Sequence, residues 1–69
     1  MNATPTVLVY RDLKCGAYVP GSARVEEMPN AGAAIKRLVE EGWRYSGCDP
    51  KVLYRDGEGY ILHEVRLIF

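Results

Sequence analysis

Two hydrophobic periods alternate along the chain, and their boundaries predict its elements. From Thr6 to Tyr10 the run TVLVY is β-branched and apolar, then stops at the polar pair Arg11 and Asp12. Short apolar runs of this kind form strands that are buried or nearly so. The stretch DLKCGAYVPGSARVEEM has no dominant period. Its Pro20-Gly21 pair suits the centre of a type II turn, proline presetting the first φ and glycine accepting the positive second one. Strands near Cys15–Val19 and Ser22–Glu27 would then make a hairpin, with an irregular loop as the alternative.

In PNAGAAIKRLVEEG the period changes to 3.6, with Ala31, Ala34, Ile35, Leu38 and Val39 on one helical face. Asn30 is the expected N-cap, Glu26 and Glu27 lie on the side that the helix dipole favours, and Gly42 is placed to end the helix in the left-handed conformation. The small residues make this face thin, which places the helix close across a sheet.

After Gly42 the period becomes two. WRYSGC sends Trp43 and Tyr45 to one side and Arg44 and Ser46 to the other, until Asp49-Pro50 breaks the run. KVLYR and YILHEVRLIF flank DGEG, where Asp-Gly is a strong hairpin signal. In the last strand Ile61, His63, Val65, Leu67 and Phe69 form a core face, while Tyr60, Leu62, Glu64, Arg66 and Ile68 point the other way. The second face mixes apolar and charged groups, as a surface left for a partner or a second copy would. The pattern therefore predicts one α+β domain over residues 1–69: a mainly antiparallel sheet of three to five strands with one helix packed on one face.

Composition narrows the function. With 69 residues, 48% of them hydrophobic and 26% charged, the chain is of ordinary globular type and too short for a deep catalytic cleft. Nine basic and nine acidic residues cancel to a formal charge of zero, so no summed field attracts a phosphate backbone. Nucleic acid is thus a disfavoured partner. The start MNATPTVLVY lacks a basic n-region and a long apolar h-region, and no apolar run could span a bilayer. A cytoplasmic protein with Cys15 and Cys48 as free thiols is expected.

Candidate chemistry is sparse. His63 is the only histidine, which excludes mechanisms and metal sites that need two; its apolar neighbours mark it as a packed or interface residue. Cys15 and Cys48 stand 33 residues apart, without the close pairing that makes a zinc motif specific. The pairs Glu26/Glu27 and Glu40/Glu41 are adjacent, point apart and read as solvated. Neither DGEG nor PGS opens a helix after a strand, so nucleotide binding has no support. No catalytic, metal or cofactor residues are assigned.

The stretch IKRLVEEGWRYSG, residues Ile35 to Gly47, resembles a family of small bacterial domains of unknown function whose helix ends in Leu-x-x-x-Gly-Trp, here Leu38, Gly42 and Trp43. The resemblance implies a strand, helix, strand, strand layout, from which residues 11 to 28 depart. Tyrosine and arginine, both frequent at interface hot spots, are the chain's most suggestive equipment. The expected function is a non-enzymatic protein-interaction module that occupies a surface of a larger assembly, of the type of a phage or mobile-element inhibitor of a host machine such as an anti-CRISPR protein. Candidate partner-binding residues are Tyr60, Leu62, Arg66 and Ile68, with Arg44, Tyr54 and Arg55, and a homodimer through the open face or a strand edge is a further expectation. The alternative is a single-stranded RNA module using sheet aromatics and arginines.

Overall fold

Strand β1 (Thr6–Lys14) runs nine residues, well past the polar pair expected to end it. Arg11 and Asp12 stay in the strand because each finds a partner: the Arg11 guanidinium lies 4.9 Å from the Tyr18 ring centroid, and the Asp12 carboxylate sits 2.6 Å from His63 Nδ1. The computed structural model describes residues 5–45 and 51–68. The expectations for Ser46, Cys48, Asp49-Pro50 and Phe69 lie outside the described residues.

The chain reverses at Cys15–Gly16, with φ of 53° and 83°, and β2 (Ala17–Tyr18) returns beside Lys14 and Leu13. Two consecutive positive φ values match the twist of flanking strands in a two-residue hairpin. Pro20-Gly21 does form the turn, with Gly21 at φ 79° and the Ser22 N–H donating to Val19 O at 3.2 Å. The expected hairpin around it does not form. β3 (Arg24–Met28) pairs with β1, from Tyr10↔Arg24 to Thr6↔Met28, so β2 and β3 are two pieces of one line beside β1. Residues 19–23 bulge out between them. Across that gap the Ser22 hydroxyl accepts from the Asp12 N–H at 3.1 Å and donates to Val19 O at 2.6 Å, and the Val19 N–H donates to Asp12 O at 2.9 Å. The interruption therefore leaves no backbone donor stranded at Asp12.

Helix α1 (Ala31–Glu40) begins at Asn30, whose side chain accepts from the Ala33 N–H at 2.8 Å. It ends in a Schellman motif: Gly42 at φ 98°, its N–H donating to Val39 O, and the Trp43 N–H donating to Leu38 O at 3.0 Å. That geometry drops Trp43 onto Leu38. β4 (Arg44–Tyr45), β5 (Val52–Asp56) and β6 (Ile61–Ile68) complete an antiparallel sheet in the order β2-β1-β6-β5-β4, with β3 also on β1. Six strands exceed the three to five expected, because the line beside β1 is split.

The β5–β6 hairpin also departs from expectation. Its positive φ values fall on Gly59 (66°) and Tyr60 (64°), with the Ile61 N–H donating to Glu58 O, rather than on Asp56-Gly57. Tyr60 is thus a turn residue and does not belong to β6.

Leu8, Tyr10, Ala34, Leu38, Trp43, Leu53, Val65 and Leu67 form the core between α1 and one face of the sheet. Tyr10 and Trp43 meet edge to face at 5.8 Å. A polar clamp adds to the packing. Arg37 of α1 donates to both carboxylate oxygens of Glu26 on β3, at 2.7 and 3.0 Å, and to the Tyr10 hydroxyl at 2.8 Å, while Tyr10 donates to Glu26 at 2.9 Å. Glu26 is therefore paired and half-buried, correcting its reading as a solvated position. No helix among the described residues is long and apolar enough to cross a membrane.

Candidate functional site

Strand register decides which side chains share the face away from α1. Leu8, Tyr10, Val65 and Leu67 face the helix, so Val7, Val9, Arg11 and Leu13 of β1 face outward, as do Leu62, Glu64, Arg66 and Ile68 of β6. Val25 pairs with Val9, Tyr54 with Glu64, and Arg44 with Tyr54, which adds β3, β5 and β4 to the same surface. Val25 is 65% exposed, Ile68 53% and Tyr18 47%, an apolar content that nothing among the described residues covers.

Of the seven residues singled out in the sequence, Leu62, Arg66, Ile68, Arg44 and Tyr54 lie on this open face. Arg55 does not: it pairs with His63 on the helix side, its guanidinium 4.6 Å from the Trp43 ring centroid. Tyr60 stands at the hairpin tip, 90% exposed. A hollow of about 420 Å³ wraps the short β4 edge and gathers Arg44, Tyr54, Arg55 and Leu62. Another, of about 170 Å³, lies between β1 and β6 and joins Arg66 and Ile68 to Val9, Arg11 and Glu64.

Glu64 is the residue that sequence reasoning undervalued. It is a carboxylate at the middle of an open face, yet only 4% exposed. Tyr18 donates to it at 3.3 Å, and Arg11 and Tyr54 are its cross-strand neighbours. Burial, and then the Glu64 charge, push the Tyr54 hydroxyl pKa up. Arg11, Tyr18 and Val9 were missed as well; extending the alternation of TVLVY by one residue would have placed Val9 and Arg11 on one side.

On the opposite face α1 is too short to cover the whole sheet. Beyond its reach lies a hollow of about 250 Å³ whose lining includes Tyr10, Asp12, Arg24, Trp43, Arg55 and His63. Here Asp12 and His63 pair at 2.6 Å, and Gly57 permits the imidazole its place, since a Cβ there would sit 2.7 Å from Nε2. His63 thus lies on the expected core face but near its rim, one-third exposed. Cys15 is a free, exposed thiol in the first hairpin turn, and the Leu13–Leu62 and Lys14–Ile61 register pairs stand between it and the Asp12–His63 pair. Among the described residues no group of three or more acidic, histidine or cysteine side chains could hold a metal ion.

Comparison with protein-family models, with curated proteins and with solved structures finds no match for the chain.

Proposed function

We propose that this protein is a non-enzymatic interaction module that binds a partner protein in the cytoplasm through the sheet face away from α1, acting by occupying a surface of that partner. The observation that carries this reading is the make-up of the open face. It combines exposed Val25 and Ile68 with Tyr18 and Tyr54, and its cations, Arg11, Arg44 and Arg66, are all arginines. Aromatic residues and arginine are enriched, and lysine depleted, where proteins bury surface against one another. Glu64 at the centre, with Glu27 and Asp56 on the same face, balances the three arginines and weighs against a phosphate backbone as the occupant. RNA is therefore an outcome of the test rather than a second reading.

The test is affinity recovery from the native host with the wild-type chain, an Ile68→Asp, Arg66→Glu variant, and an Arg24→Ala variant altered on the helix side. A protein recovered by the wild type and the Arg24 variant, and lost with the open-face variant, supports the reading. Recovery that survives the open-face changes, or binding only of RNA, overturns it. Light scattering of the purified chain identifies a second copy as the partner if a dimer forms and the same two substitutions dissolve it.

A further inference from the structure

Arg24 and Arg55 approach the helix-side hollow from opposite flanks of the sheet, on β3 and β5. Each lies over an aromatic ring: Arg24 Cζ is 4.0 Å from the Tyr10 centroid and Arg55 Cζ 4.6 Å from that of Trp43. Those two rings meet edge to face with centroids 5.8 Å apart, so the two guanidiniums are anchored on touching but steeply inclined rings. A guanidinium attracted to a ring face is restrained in place while its N–H groups can still donate to a ligand. Among the described residues neither forms an ion pair.

The acids nearby are otherwise engaged. Asp12 is held by His63, Glu26 by Arg37 and Tyr10, and Glu64, which also lines the hollow, accepts from Tyr18 on the other face. The Ser22 hydroxyl is spent on the β1 backbone and on Val19. What remains to receive a ligand is a pair of ring-anchored guanidiniums lining a concavity of about 250 Å³. That is smaller than the roughly 300–1,000 Å³ of drug-sized pockets, and suits a single anionic group. A carboxylate offers two oxygens and is satisfied by one fork; a phosphoryl group offers three or more and can accept from two forks at once.

We propose that the hollow between Arg24 and Arg55 binds a phosphate group, either as the free ion or as a small phosphomonoester. Asp12 and His63, paired at 2.6 Å, form part of the wall of the same hollow. The hollow lies on the helix side of the sheet, opposite the open face, and shares Arg55 with the hollow at the β4 edge.

The experiment is a two-dimensional NMR titration of the full chain at constant ionic strength, following the Trp43 indole N–H and the arginine Nε–H signals. The probes are inorganic phosphate, phenyl phosphate and, as controls, acetate and chloride. Saturable shifts of Trp43, Arg24 and Arg55 with the phosphates and not with acetate are expected. Each charge-conserving change, Arg24→Lys or Arg55→Lys, should weaken binding about tenfold, the loss of one charge-assisted hydrogen bond. Arg11→Ala on the opposite face should leave it unchanged. Tighter binding of phenyl phosphate identifies an esterified ligand, and equal binding the free ion. Linear, non-saturating shifts, equal responses to acetate, or unaltered affinity in both lysine variants with native-like spectra would overturn the site.

Discussion

Individual residues carry strain and charge that can be measured separately. Tyr60 holds φ at 64° in the β5–β6 turn while its side chain is 90% exposed. The left-handed region costs a non-glycine residue about 1–2 kcal/mol, less for asparagine. Tyr60→Asn should therefore stabilise the domain by about 0.5–1 kcal/mol, read as a higher midpoint in urea; no gain would mean that the ring makes a stabilising contact in solution. Glu26 behaves differently. Hydrogen bonds from Arg37, and then from Tyr10, pull its pKa down to about 2 from the ordinary value of 4.5. A carboxylate with a depressed folded-state pKa stabilises the fold above its unfolded pKa and loses that contribution as pH falls through the folded one. Stability should drop between about pH 4.5 and 2, and Glu26→Gln should flatten that part of the curve. Because the Glu26 side chain is 38% exposed, solvent screening limits the contribution to about 1 kcal/mol. An unchanged acid profile in the glutamine variant would assign the drop to other carboxylates.

At the scale of elements, signals confined to a few neighbouring residues were legible and pairings across the chain were not. Asn30, the 3.6-residue period and Gly42 located α1 because caps and amphipathic faces are local. Alternation in β6 gave its two faces correctly from Leu62 to Ile68. The Cys15–Gly16 reversal was hidden because cysteine carries none of the usual preference for positive φ, while Pro20-Gly21 a few residues on gives a strong turn signal of its own. Register hid the rest: the Asp12–His63 pair joins positions 51 apart, and Arg55 faces the helix side only because it pairs with His63. Local signals also have local tests. Gly42 sits at φ 98°, and a Cβ added there would meet nothing within 4 Å, so Gly42→Ala brings backbone strain without a clash. The cost should be about 1–2 kcal/mol, with the Trp43 indole environment altered in near-ultraviolet circular dichroism as the Schellman turn loosens. An unperturbed Trp43 signal at full stability would show that tertiary packing alone sets the helix end.

For the whole molecule, the topology couples distant parts of a short chain. β6, the last strand, pairs with β1, the first, and α1 carries the chain from β3 at one edge of the sheet to β4 at the other. The central pair β1–β6 cannot then be opened without exposing the core, and loss of packing in β6 should unfold the domain as one unit. Consecutive residues of this strand separate folding from binding. Leu67 is 2% exposed against α1's side of the sheet, whereas Ile68 is 53% exposed on the open face. A chain of this size has only about 3–5 kcal/mol of net stability, and truncating a buried leucine costs about 2–5 kcal/mol. Leu67→Ala should accordingly leave much of the population unfolded at room temperature. Ile68→Asp should change stability by no more than about 1 kcal/mol, the span of strand propensities at such a site, while removing partner recovery. Thermal unfolding followed by circular dichroism, set beside recovery of the partner, distinguishes the two. If both substitutions unfold the chain, the open face is a second core whose burial the domain requires, and a stable second copy becomes the occupant to seek.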